Sequence, residues 1–196
     1  KLVASDGDLG DQFGDSVGIS GDIEPTVVVG SYLDDHNGNN SGSAYVFVRN
    51  GGNWSLQSKI SAIDGAQGDQ YGTEVAIYGD TLVVNAPESH TGSEVEDMHG
   101  SAYVFHRNGE DWVQHYKFSG VDGLGCRIGL YDDTLIAAAC VSDDARGDVG
   151  DVYMMSTADT PPIPPTPPAT TSSTSTANVS DIDTDEFYPL RIFDQI

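Results

Sequence analysis

The stretch "DDHNGNN" at 34–40 gathers Asp34, Asp35, Asn37 and Asn39 around a glycine, Gly38. Hard oxygen ligands spaced over a tight turn are what Ca²⁺ prefers. Further acidic groups follow: Glu88, Glu94, Glu96 and Asp97, and then Asp143, Asp144 and Asp148. Calcium is therefore the candidate cofactor, with Asp34, Asp35, Asn37, Asn39, Asp143, Asp144 and Asp148 as candidate ligands. Ordinary solvated loops account for the same residues. Catalysis finds no comparable set. His36, His90, His99, His106 and His115 are scattered, and no nucleophile elbow, phosphate loop or zinc-protease motif occurs. Crowded carboxylates do not by themselves identify a glycosidase pair. The expectation is a protein that is not an enzyme. The two cysteines, Cys126 and Cys140, form no CxxC and no His/Cys cluster, so zinc is not indicated.

A second kind of chemistry is covalent modification. "TPPIPPTPPATTSSTST" (160–176) is a proline-rich, mucin-like composition. Proline holds such a segment in an extended polyproline II path without internal hydrogen bonds. Its hydroxyls stand outward as O-glycosylation candidates: Thr160, Thr166, Thr170, Thr171, Ser172, Ser173, Thr174, Ser175 and Thr176. Pro161, Pro162, Pro164, Pro165, Pro167 and Pro168 are hydroxyproline candidates. A plain unmodified spacer is the alternative. Sequons place N-glycosylation candidates at Asn39, Asn53 and Asn178. Asn53 has a tryptophan in the middle position, a poor acceptor context, while Asn39 and Asn178 fall in expected loops.

The chain carries 31 Asp and Glu against 8 Lys and Arg, a formal net charge of −23 in 196 residues. That field repels phosphate backbones and anionic bilayers, so neither nucleic acid nor a membrane surface is an expected partner. No apolar run is long enough to span a membrane as a helix. The start, "KLVASDG", lacks an initiator Met, which suggests processing or a longer parent chain.

The elements that must position these residues are written in a repeat. "GSAYVFVRNGGNW" (42–54) recurs as "GSAYVFHRNGEDW" (100–112), and "GDQFGDSVGISGD" (10–22) as "GDQYGTEVAIYGD" (68–80), both 58 residues apart. "TVVVGS" (26–31) matches "TLVVNA" (81–86), and Lys1-Leu2, Lys59-Ile60 and Lys117-Phe118 correspond. Each unit reads as four short strands separated by Gly-Asp, Asn-Gly and Gly-Gly turns. The first holds Val17 and Ile19, the second Val27 to Val29, the third Ala44 to Phe47, and the fourth runs from Trp54 to Ile60. The apolar second strand should be buried on both faces and the fourth should lie at an edge. A shorter third unit keeps the order, with Leu124-Gly125, Thr134 to Ala137 and Gly150 to Met154, and no fourth strand. The expected class is all-β: antiparallel blades of β-propeller type, two full and one truncated. A β-sandwich with internal duplication is the alternative. The division is 1–158 for the blades (about 1–60, 61–118 and 119–158), 159–180 for an extended Pro/Thr/Ser linker, and 181–196 for a strand-like tail.

Phe13-Gly14 and Tyr71-Gly72, followed at fixed distance by "VVVGSY" and "VVNAP", resemble the FG-GAP repeat of integrin α-subunit propellers and related extracellular proteins. The resemblance covers roughly 1–156, two units well and the third loosely. It implies an extracellular or cell-surface location and an adhesive or ligand-binding role, with a glycan or protein as ligand. It also places Cys126 and Cys140 on turns that approach one another in such blades, implying a disulfide; two buried thiols are the alternative. The integrin-type calcium loop ends in an acidic ligand and precedes the GAP-like site. The 34–40 loop lacks that ligand and follows the site.

Closed propellers use four to eight blades. Three units therefore imply further blades before Lys1 or several chains sharing a ring, with Lys1-Leu2-Val3 the end of a preceding outer strand. The truncated third unit would expose an edge, which recruits a strand. The tail "EFYPLRIFDQI" (186–196) offers Phe187, Leu190, Ile192, Phe193 and Ile196 as assembly contacts. The linker before it reaches roughly 60 Å at about 3.1 Å per residue, far enough for a neighbouring molecule. Head-to-tail contacts of that kind build rings or filaments. The sequence thus supports a glycosylated extracellular structural subunit that self-associates, with an adhesion or ligand-binding propeller module as the alternative. The tail folding back as the fourth strand of its own third blade is equally open.

Overall fold

A computed structural model describes residues 1–21, 23–89, 100–119, 123–140 and 151–157. The 159–180 linker, the 181–196 tail, Asn178, and Asp143, Asp144 and Asp148 lie outside the described residues. Among those described there are eleven strands and no helix. Strands β1 (Val17–Ser20), β2 (Thr26–Ser31), β3 (Ser43–Asn50) and β4 (Asn53–Ile60) form one antiparallel sheet in sequence order. Strands β5 (Val75–Tyr78), β6 (Thr81–Ala86), β7 (Ser101–Asn108) and β8 (Asp111–Ser119) form a second, and β9 (Leu124–Tyr131), β10 (Thr134–Ala139) and β11 (Asp151–Ser156) a three-stranded third. The result is an all-β array of propeller-like blades.

The repeat extends to its irregularities. The β3–β4 ladder shifts register between Val46 and Phe47, and the β7–β8 ladder between Val104 and Phe105. The shift leaves Gln57 and His115 as the unpaired extra residues, the mark of a β-bulge. Hairpin turns carry left-handed glycines, Gly51 and Gly52 before β4 and Gly109 before β8.

Units stack through apolar faces. Here the front of a unit faces lower residue numbers and its back faces higher ones. Val28, Ala44 and Val46 on the back of the first sheet meet Ile77, Leu82, Val84, Tyr103 and Phe105 on the front of the second, with Ile60 and Ala62 between them. Val83, Ala102 and Val104 on the back of the second meet Leu135, Ile128, Leu130 and Met155 of the third. Each of the Val, Leu, Ile and Phe side chains fully taken from water here contributes about 1.5–3 kcal/mol, and the alanines less. Glycines set how closely the units approach. Gly42 (φ +83°) forms an isolated bridge with Tyr71, and a methyl group there would collide with the Tyr71 backbone. Gly72 (φ +92°) has Ser43 O 2.5 Å from where its Cβ would stand. Gly100 and Gly125 repeat these contacts against Leu124 and Ser101.

Residues 1–16 contain no strand. Instead Leu2 and Ala4 pack with Phe13 and Val27 against Val29, Tyr45 and Phe47. The second strand is buried on both faces only in the first two units. In β10, Ile136 is 41% exposed, because no described residue covers the back of the third sheet.

Candidate functional site

The 34–40 loop leaves β2 and returns to β3, and its hydrogen bonds close on protein groups. Asp34 is buried, and its Oδ1 accepts from the Ser43 hydroxyl (2.8 Å) and the His36 amide (3.0 Å). Its Oδ2 accepts from the Tyr45 hydroxyl and the Lys59 ammonium, both at 2.9 Å. Asp35 Oδ1 accepts from the Asn40 amide at 2.8 Å, and Asn37 Nδ2 donates to Ala62 O at 3.2 Å. Asn39 is exposed on its side chain, while its carbonyl accepts from Gly68 N at 3.0 Å. The carbonyls of Asn40 and Ser41 accept from Gln70 N and Tyr71 N. The loop thus seats the linker that joins the first unit to the second. The residues do not present a converging oxygen cage, since Asp34 is committed to four donors, one of them a cation. Among the described residues no three His, Cys, Asp or Glu side chains could hold a metal ion.

Around Asp34 lies an arrangement that occurs twice. Tyr45 Oη also lies 3.0 Å from Asp6 Oδ1, so its one proton is shared between the Asp34 and Asp6 carboxylates; Lys59 Nζ reaches Asp6 Oδ2 (2.7 Å), and the ammonium stands 5.1 Å over the Tyr45 ring. In the second unit Tyr103 Oη donates to Asp64 Oδ1 (3.1 Å), Lys117 Nζ reaches Asp64 Oδ2 (2.6 Å), and it stands 5.2 Å over the Tyr103 ring. Each clasp ties the third and fourth strands of a unit to the linker entering that unit. The linkage perturbs titration. The hydrogen bond from Lys59 holds the Asp6 carboxyl below the ordinary range. Burial pushes the Asp34 carboxyl up, but the bonds from Lys59, Ser43 and Tyr45 outweigh it and hold the group low. Burial opposes the charge on Lys59, yet its bonds to Asp6 and Asp34 raise its pKa. Burial, with Asp34 beside it, pushes the Tyr45 phenol well up. In the first clasp these shifts favour the charged forms of Lys59, Asp6 and Asp34, which strengthens the tie between the strands and the entering segment.

A second polar junction crosses the units on their other side. Arg107 pairs with Asp80 (2.9 Å), donates to Thr26 Oγ1 (2.6 Å) and Gln57 Oε1 (3.1 Å) of the preceding unit, and stacks 4.4 Å from the Trp112 ring. Trp112 Nε1 donates to the same Gln57 oxygen. The clasp and this junction were not singled out from the sequence. Their signal was there: Asp6 and Asp64, Tyr45 and Tyr103, and Lys59 and Lys117 recur at the spacing of 58.

Cys126 and Cys140 are joined in a disulfide, with Cα atoms 5.9 Å apart. It bridges the start of β9 and the end of β10, as the blade resemblance implied. Asn53 opens β4 and is exposed. A cleft of about 600 Å³ lies on the front of the first unit, lined by Leu2, Phe13, Val17, Val27 and Val29 among others. No helix of the described residues is long and apolar enough to cross a membrane.

Serial four-stranded antiparallel sheets, joined by glycine turns and stacked front to back, define a protein of the propeller-module class. The chain belongs to the FG-GAP repeat family, whose profile matches residues 1–47 and 54–105. No curated protein matches it. FG-GAP repeats build β-propeller modules typical of integrin-like extracellular or surface proteins, mediate protein and ligand interactions, and are generally non-enzymatic.

Proposed function

We propose that this chain is a non-enzymatic structural subunit of an extracellular, glycosylated fibre or sheath, joined head to tail through its C-terminal tail. One observation carries the reading. Strand β11 borders the third sheet with no strand on its outer side among the described residues, whereas β3 and β7 each have one there. A sheet that counts three strands where its neighbours count four is suited to taking up an extended segment. The apolar tail residues Phe187, Leu190, Ile192, Phe193 and Ile196 are suited to it, and the 159–180 linker, glycosylated on its hydroxyls, would span the distance. Electron microscopy of the purified native material tests the reading. Regular filaments are expected; discrete single particles would remove it. Mass spectrometry of the intact chain tests the stalk, which requires glycan mass on 160–178.

Membership of a family that mediates protein and ligand interactions favours a second reading, an adhesion module binding a glycan or protein. Discrete particles that retain a glycan or protein ligand would support it. Calcium enters only as a proposal. Asp35 and Asn39 face solvent, but binding at the loop would require Asp34 to release Lys59. A thermal midpoint unchanged between calcium and chelator would dismiss it.

A further inference from the structure

Among the described residues nothing covers the front of the first sheet or the back of the third, and the interior contacts state what fits them. On the front of the first unit, Val17 and Ile19 are 67% and 64% exposed. Their counterparts in the second unit, Val75 and Ile77, are packed in the cluster between the first and second sheets. Those in the third, Ile128 and Leu130, pack against the second sheet. On the back of the third unit, Ile136, Val152 and Met154 are 41%, 52% and 46% exposed. Their counterparts, Val28, Ala44 and Val46 in the first unit and Val83, Ala102 and Val104 in the second, are all fully buried. Ile136 and Met154 are paired across β10 and β11, and Ile136, Val152 and Met154 form one contiguous patch. The cluster of Leu2, Ala4, Phe13, Val27, Val29, Tyr45 and Phe47 is therefore half of an inter-unit core. It has the linker and front-face members and lacks the three from the back of a preceding unit. The back of the third unit carries those three positions uncovered.

We propose that the front of the first unit in one copy docks on the back of the third unit in a second copy, repeating the contact made twice inside the chain. The polar register agrees. Arg49 occupies the place of Arg107, and Thr134 the place of Thr26, to which Arg107 donates across the internal junction. Docking brings Arg49 to Thr134 of the second copy. The contact is heterologous, so each pair keeps one front and one back free for the next copy. The net charge of −23 opposes it, and salt relieves that opposition. This contact goes beyond the tail-mediated one and does not depend on it.

Sedimentation velocity of the full chain over a range of concentrations tests the proposal. The expected result is mass above that of one chain, growing with concentration and with salt. Ile19→Asp and Met154→Asp each alter a side chain exposed in the single copy, and each is expected to weaken association at least about tenfold by burying a lone charge. Val17→Asp and Val152→Asp are a second pair should either variant lose its cooperative thermal transition. Mixing the front variant with the back variant leaves one intact front and one intact back, so pairs form again and stop at two. Full-chain Phe187→Ser and Ile192→Ser report separately on the tail reading. Face variants that associate as the unmodified chain does, or a chain that keeps single mass at every concentration and salt, would overturn the docking.

Discussion

Lys59 and Lys117 occupy equivalent positions, yet the structure gives them different weights. Lys59 neutralises Asp34, which is buried, while Lys117 serves Asp64, whose side chain is half exposed. Removing a cation from a buried carboxylate leaves an uncompensated charge, whereas an exposed pair is worth little. Lys59→Met is expected to cost about 3 kcal/mol and Lys117→Met no more than about 1 kcal/mol, read from denaturant midpoints. A second residue-scale consequence concerns pH. The His106 and His115 rings lie 4.3 Å apart, tilted by 30°, and His106 Nε2 and His115 Nδ1 find no hydrogen-bond partner among the described residues. Burial, and His115 beside it, hold the His106 imidazole below its ordinary range. The unfolded chain then binds the proton more readily. The stabilising contribution is whole above about pH 6.5 and is lost as pH falls through the folded value. Asp6 and Asp34, held low, contribute above the ordinary carboxylate range and lose it only in stronger acid. Urea midpoints should therefore decline as pH falls from about 6.5 to 5, and His106→Val, which installs the counterpart Val48, should flatten that decline.

At the scale of the element, two glycines with left-handed backbone separate two costs. Gly109 sits in an open hairpin with nothing near its missing side chain, so Gly109→Ala pays only for backbone strain, about 1–2 kcal/mol. Gly42→Ala adds a collision with the Tyr71 backbone at the junction of two units and should cost more than about 3 kcal/mol in the same unfolding assay. The disulfide belongs to this scale too. It closes a separation of 14 residues in the sheet with fewest strands, and the chain-entropy model gives it about 3 kcal/mol. Replacing both cysteines by serine should raise amide exchange in β9 and β10 while leaving β2 and β6 protected. The strands themselves were legible in the sequence, because alternating and apolar runs between glycine turns recur in register. The bulges at Gln57 and His115 were not, since a bulge changes pairing without changing pattern.

For the whole molecule, position in the array decides what the repeat leaves undetermined. Val17 and Val75 are the same letter in the same motif, and only the presence of a preceding sheet buries one and leaves the other in water. The Asp–Tyr–Lys clasps escaped a reading that looked for neighbouring residues, because their partners lie 39 and 53 positions apart. The acidic loop at 34–40 was legible as chemistry, but its use was not. Asp34 spends its oxygens on Lys59, Tyr45, Ser43 and an amide that composition cannot locate. The direction of the clasps has a consequence for synthesis. Asp6 and Asp64 each precede the strands they fasten, and Lys59 and Lys117 come last. Each of the first two blades can thus be secured as soon as its own final strand leaves the ribosome, with nothing awaited from downstream, so that the nascent chain finishes one of these sheets before the next.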